Sequence, residues 1–158
     1  MKYILDSSFF FGDYQLDGDC FVSPLVVDEL KDTSSKLRFE VLKNHGLVVC
    51  EPNTESISKV CEKAKNTGDL PVLSDTDINV ISLGLYLNGT VVSDDFAVQN
   101  VCLHLNIPVK NILQKRAKSR VWKHICSGCR SEIPVDVTEC PICGHVAIER
   151  NHSKNKLK

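Results

Sequence analysis

At 158 residues, with 42% hydrophobic and 25% charged side chains, the chain has room for one domain of ordinary size with its own core and a small appended module. No stretch approaches the roughly 18 uninterrupted apolar residues of a membrane helix, and MKYILDSS is too short an apolar run for a secretory signal, so a soluble, cytosolic protein is expected. The formal net charge of −1 hides a split: residues 1–95 carry 16 acidic and 8 basic side chains, residues 96–158 carry 4 and 11, giving −8 against +7.

In chain order, KYIL (2–5) reads as a short buried strand and CFVS (20–23) as a second. Ser23-Pro24 supplies the cap and first position of a helix running through Leu30, and a further helix is predicted over 35–44. LVVC (47–50) is a strand, after which Asn53 or Thr54 opens a helix ending near Gly68. Ser74 and Asp77 stand at capping-box spacing, with Asp in place of the usual Glu or Gln, ahead of an apolar face of Ile78, Ile81 and Leu85 that stops near Gly89. TVVS (90–93) is the next strand; Ser93 opens a helix with Phe96, Val98, Val101, Cys102 and Leu105 as its apolar residues, and IPVKNI (107–112) closes the series. Strands alternating with helices over residues 1–112 predict an α/β domain with a mainly parallel sheet covered on both faces. Residues 113–121 form a basic connector, residues 122–150 a cysteine-rich module, and residues 151–158 a polar basic tail expected to be disordered.

Acids from three distant segments of the domain fall where a parallel sheet collects ligands, beyond the carboxyl ends of its strands. Asp6 follows KYIL, Asp94 and Asp95 follow TVVS, and Asp77 lies in the first turn of its helix. Glu29 is a fourth candidate, because Val26 and Leu30 place it on the inward side of its helix while Asp28 points away. Helix starts favour single acids by about 0.3–1 kcal/mol without any catalysis, and Asp75 is read in that way. A cluster is another matter: two carboxylates ~5 Å apart repel by roughly 3 kcal/mol at an effective dielectric of 20. Such a pocket calls for hard divalent cations, Mg²⁺ or Mn²⁺, and the chemistry they support is metal-assisted phosphodiester hydrolysis. Ser7, Ser8 and Ser93 are placed to hydrogen-bond the pocket, with helix capping the first expectation for Ser93.

Four of the eight cysteines, Cys126, Cys129, Cys140 and Cys143, form C-x2-C-x10-C-x2-C, which is metal spacing and suits four thiolates around Zn²⁺. About 30 residues cannot supply an adequate core, so one structural zinc ion is expected to decide whether the module folds. A rubredoxin-like iron centre is the alternative for the same donors. Gly144 permits the tight turn after the second pair, His124 and His145 are expected to be exposed and not ligating, and Trp122 to pack against the module. Cys20, Cys50, Cys61 and Cys102 read as small core residues. From Ala97 to Ser131 no acid interrupts Lys110, Lys115, Arg116, Lys118, Arg120, Lys123 and Arg130, a run suited to a phosphate backbone.

Taken together, ILDSSFF, PLVVDEL, LSDTDINVISLGL and VVSDDFAVQN make residues 1–112 resemble the PIN-domain nucleases. The resemblance implies a compact parallel-sheet fold whose acids bind Mg²⁺ or Mn²⁺ and cut single-stranded RNA, leaving a 3′-hydroxyl and a 5′-phosphate. Asp6, Glu29 and Asp77 fall on the first three acidic positions, and Asp94 or Asp95 on the fourth. With the ribbon and the arrangement KSRVWKHICSGC, nearly the whole chain resembles the Nob family of ribosome-maturation endonucleases in its short archaeal form. That implies cleavage of precursor rRNA at the mature 3′ end of 16S rRNA within a pre-30S particle, with Lys115, Arg116, Lys118, Arg120, Lys123 and Arg130 on the RNA and no membrane or small-molecule ligand. The alternatives are a PIN ribonuclease acting on other RNA and a non-catalytic rRNA-binding assembly factor.

Overall fold

The computed structural model describes residues 1–112 and 121–152. Five strands form one sheet in the order β3-β2-β1-β4-β5: β1 Lys2–Leu5, β2 Asp19–Val22, β3 Val48–Val49, β4 Thr90–Val92 and β5 Val109–Lys110. Every pairing in it is parallel. The central place of β1 follows from its sequence, since Tyr3, Ile4 and Leu5 are all buried and a strand apolar on both faces needs cover on both. From β1 the chain winds outward through β2 to β3, then crosses back to lay β4 on the other side of β1. The strand order therefore reverses between β1 and β4, and in open α/β sheets the crevice beyond the strand ends at that reversal is where ligands bind.

Local capping fixes the helices. Ser23 caps α1 (Pro24–Glu29), its Oγ accepting the Val26 N–H at 3.4 Å, and Asp32 caps α2 (Thr33–Asn44). Asn53 opens α3 (Thr54–Thr67), which Gly68 closes with φ +82°. Ser74 and Asp77 make a full capping box at the start of α4 (Asp75–Leu87). Asp95 caps α5 (Phe96–His104), so this helix starts after Asp95 and not at Ser93. Val98, Val101 and Cys102 of α5 are buried as expected, but Phe96 is 56% exposed and stands outside the core. The strands at 20–23, 47–50 and 107–112 are shorter than their apolar runs or shifted by a residue.

The core is built from β1, β4, Phe9 and Phe10 of the 3₁₀ turn Ser7–Phe11, and a nearly all-buried stretch of α4 comprising Val80, Ile81, Ser82, Leu83 and Gly84. A buried carboxylate ties α3 to α5, because Asp69 Oδ2 accepts both Thr67 Oγ1 and Asn100 Nδ2 at 2.6 Å. Cys102 is a core residue, and the thiols of Cys20, Cys50 and Cys61 are half-buried and unpaired. No described helix is long and apolar enough to cross a membrane.

The ribbon's strands, β6 Val121–Cys126 and β7 Ala147–His152, pair antiparallel. Strand β7 continues two residues past Arg150, into the segment read from sequence as a disordered tail. A Cβ at Gly68 would come within 2.8 Å of the Trp122 Cβ, so the first ribbon strand lies against the turn that closes α3. Lys115, Arg116, Lys118 and Arg120 of the connector, and the tail from residue 153 onward, lie outside the described residues.

Candidate active site and metal centre

Asp6 sits one residue beyond β1, where its own N–H donates to Val92 O of β4 at 3.1 Å and extends the central ladder by one rung. Its side chain is 5% exposed and surrounded by donors. The Ser7 N–H reaches Oδ1 at 2.6 Å, the Ser8 hydroxyl reaches Oδ2 at 3.2 Å, and the Ser93 hydroxyl reaches Oδ2 at 2.6 Å. Ser93 is fully buried, and its Oγ also accepts the Asp95 N–H at 3.1 Å. One serine thus joins the carboxyl ends of β1 and β4 at the reversal of strand order. Gln99 supports it, donating from Nε2 to Ser93 O at 3.1 Å.

Burial pushes the Asp6 carboxyl above the usual carboxylate range. The Ser93 hydroxyl and the Ser7 amide pull it part of the way back, and the nearby charge of Asp77 raises it again. No ion pair reaches Asp6, Asp77 or Asp95 among the described residues. With the folded pKa raised above the ordinary 3.8, ionising Asp6 opposes folding. That loss grows as pH rises through the window between the two values and is complete above it. A cation beside Asp6 would remove the opposition.

The other acids are held in different ways. Asp77 spends Oδ2 on the Ser74 N–H at 2.8 Å and the Ser74 hydroxyl at 2.7 Å, leaving Oδ1 unengaged among the described residues. Asp95 spends Oδ1 on the Ala97 and Val98 N–H groups at 2.7 and 3.1 Å, and its Oδ2 is likewise unengaged. Asp94 Oδ1 accepts the Ile112 N–H at 2.9 Å, which pins the end of β5 to this rim. Glu29 departs from the inward position read from the sequence: it ends α1 exposed, with no hydrogen bond or ion pair among the described residues, and Val26 carries the buried side of the helix. Asp6 and Asp77 lie close enough to feel each other's charge, and Ser93 joins Asp6 to the turn that carries Asp95, but among the described residues no three acids bring their oxygens within 4.8 Å of one another. Asp75, in the first turn of α4, is exposed.

The donor chemistry fits a hard divalent ion, which usually keeps several waters and takes only one or two carboxylates directly. Ser93 is the residue whose part the sequence hid, since a serine between a strand and a helix reads as a cap. Because it orients Asp6, Ser93→Ala is expected to lower activity about 10–100-fold, the range for residues that hold a metal ligand in place. Steady-state cleavage, compared at a temperature where both proteins remain folded, checks this.

In the ribbon, the Sγ atoms of Cys126, Cys129, Cys140 and Cys143 all lie within 4.8 Å of one another. They are the one set of three or more such ligands that converges so closely among the described residues, and neither His124 nor His145 belongs to it. The 3.2 Å Cys126–Cys143 and 3.6 Å Cys129–Cys140 separations approach the edges of a tetrahedron with about 2.3 Å metal–sulfur bonds. Both turns follow one plan. The Arg130 and Gly144 N–H groups donate to Cys126 O at 3.2 Å and Cys140 O at 2.9 Å, and both residues have positive φ, +62° and +73°. The Ser131 hydroxyl, 3.2 Å from Cys129, brings that thiol down to about 6 and so favours the thiolate a metal requires. His124 pairs with Glu149 at 3.1 Å, and Lys123 with Glu132 at 2.6 Å.

Residues 3–87 match the family described as PIN domain of ribonuclease. The chain is 39% identical over 146 residues to Endoribonuclease Nob1 of Methanocaldococcus jannaschii, an alignment covering 90% of this chain and 72% of that one. It is 35% identical over 159 residues to Ribonuclease VapC1 of Thermoplasma acidophilum, covering 99% and 81% respectively, so the likeness to that ribonuclease runs through the ribbon as well. A shorter stretch of 64 residues, 40% of this chain, is 36% identical to 14% of the 20S-pre-rRNA D-site endonuclease NOB1 of Saccharomyces cerevisiae. With a parallel sheet that buries Asp6 at its strand reversal and a four-cysteine cluster compatible with a zinc ribbon, the chain belongs to the PIN-domain endoribonucleases of the Nob1 family.

Proposed function

We infer that the chain is a Mn²⁺- or Mg²⁺-dependent nuclease that cuts precursor small-subunit rRNA at the mature 3′ end of 16S rRNA within the pre-30S particle. The observation that carries the metal reading is Asp6: a buried carboxylate at the β1/β4 reversal, raised in pKa by burial and by Asp77, with no side-chain cation to offset it among the described residues. Asp6, Asp77 Oδ1 and Asp95 Oδ2 are the groups that would hold the ion, directly or through water. Glu29 joins them on its motif alone, and Asp94 adds charge to the same rim. Once bound, such an ion neutralises phosphate oxygens and makes water a competent nucleophile near neutral pH. The chain's own contribution is positional, with Ser93, Ser7 and Ser8 keeping Asp6 oriented and ionised.

The substrate reading rests on the names of the relatives and on the basic half of the chain, which the acidic half cannot replace in binding phosphate. Lys115, Arg116, Lys118, Arg120, Lys123 and Arg130 are its proposed contacts. Zn²⁺ on the four cysteines holds the ribbon, and the domain limits are proposed as 1–112, 113–121, 122–152 and 153–158, the ribbon's end following β7 through His152. The test is to incubate the full chain and Mn²⁺ with a 3′-extended 16S rRNA fragment. A cut at one bond at the mature end is expected. Equal cutting of unrelated unpaired RNA would favour the broader ribonuclease that the VapC1 name suggests. Binding without cutting would leave a non-catalytic assembly factor.

A further inference from the structure

Single exposed apolar residues are ordinary on a soluble protein, but here they accompany the acids. The 3₁₀ turn that Asp6 opens buries Phe9 and Phe10 yet leaves Phe11 68% exposed. Val72, two residues before the Ser74–Asp77 capping box, is also 68% exposed. Phe96, peptide-bonded to Asp95 and first residue of α5, is 56% exposed and belongs to none of the ring contacts of the domain. Its Cα is therefore only about 3.8 Å from that of Asp95.

An acid-rich rim repels every phosphate except one bridged by a cation, so the nucleotides beside the scissile bond cannot be held near it by charge. An aromatic face offers what remains, because every unpaired base has a face to stack upon. Of the three exposed apolar groups, Val72 has no ring and Phe11 is five residues from its acid, whereas Phe96 adjoins Asp95. We propose that Phe96 is the stacking platform for an unpaired nucleobase next to the scissile phosphate. This rests on the nuclease reading above.

The test is a cycle between Phe96→Ala and an abasic nucleotide, using the full chain, Mn²⁺ and an unpaired RNA containing the scissile bond, with each flanking base removed in turn. The wild type is expected to lose about 5- to 150-fold in kcat/KM at one flanking position, the range stacking covers. Phe96→Ala is expected to lose a similar amount on intact RNA and nothing more at that position, while Phe96→Tyr restores the wild-type pattern. A readout free of catalysis is the fluorescence of 2-aminopurine at that position. Binding by an Asp6→Asn protein should quench it, and adding Phe96→Ala should abolish the quench. Equal abasic penalties with and without the ring, or quenching that survives its loss, would overturn the platform. If Asp6→Asn protein cut as fast as wild type, the nuclease reading itself would fall instead.

Discussion

Serine in place of Cys140, or a strong chelator, is expected to unfold the ribbon and leave the nuclease domain folded. The ribbon's buried apolar residues are Ile125, Cys126, Ile133 and Cys140, with Val137 and Ala147 packed beside the last three, so two of the four are themselves proposed ligands. So small a cluster cannot offset the conformational entropy of ordering residues 121–152, whereas a four-thiolate zinc site contributes an apparent ~10–16 kcal/mol. The nuclease domain has its own much larger core and no ligand in the cluster. Trp122, the sole tryptophan, reports the change, because it lies on β6 with its Cβ against Gly68. Its emission should shift to the red on chelation and return on adding Zn²⁺, while amide signals from β1 and α4 stay put. A Trp122 spectrum and a proteolysis pattern that ignored both changes would remove the metal from the account. A coloured protein as purified would point to iron.

Asp6→Asn is expected to lower the cleavage rate by about 10²–10³-fold or more, the scale for removing one group that sustains charge in a transition state. Asparagine preserves the shape: with its oxygen on the Ser7 N–H, its Nδ2 donates to the Ser93 hydroxyl, which turns to accept, so the loss should be chiefly one of charge and not of fold. Stability should move the opposite way. Because burial and Asp77 raise the Asp6 pKa, the metal-free wild type carries an ionised carboxylate that opposes folding above the titration window. The metal-free variant is therefore expected to melt no lower than wild type at neutral pH. Its advantage should shrink as pH falls through that window, where wild-type Asp6 takes up its proton. Adding Mn²⁺ should raise the wild-type midpoint, since whatever binds only the folded form stabilises it, and should barely move that of the variant. Equal activity, or equal Mn²⁺ stabilisation, would contradict the role given to Asp6.

Much of the fold was legible in the sequence because its signals are local. Strand β1 is apolar at three consecutive positions, and Ser23, Asn53 and Ser74 announce their helices by capping chemistry that depends on neighbours two or three residues away. The cysteine spacing encodes its cluster in the same local manner. What resisted reading was long-range. Ser93 looks like a cap, and only the pairing of β1 with β4 brings its hydroxyl to Asp6, 87 residues away. Phe96 fits the apolar period of α5, but the helix begins there, so the ring projects from its first turn and not from its buried middle. Glu29 reads as facing inward and is exposed, since a six-residue helix gives periodicity little to average over. Asp94 and Asp95 were inseparable as letters and differ in their bonds, one pinning Ile112 and the other capping α5.

The most direct measurement is the position of Mn²⁺ by anomalous scattering from a crystal of the full chain. The account predicts a peak on the crevice between the carboxyl ends of β1 and β4, with an Asp6 oxygen about 2.0–2.2 Å away and Asp77 and Asp95 bound directly or through ordered water. Strong density elsewhere with that crevice empty, or an ion that Asp6 does not touch, would contradict it.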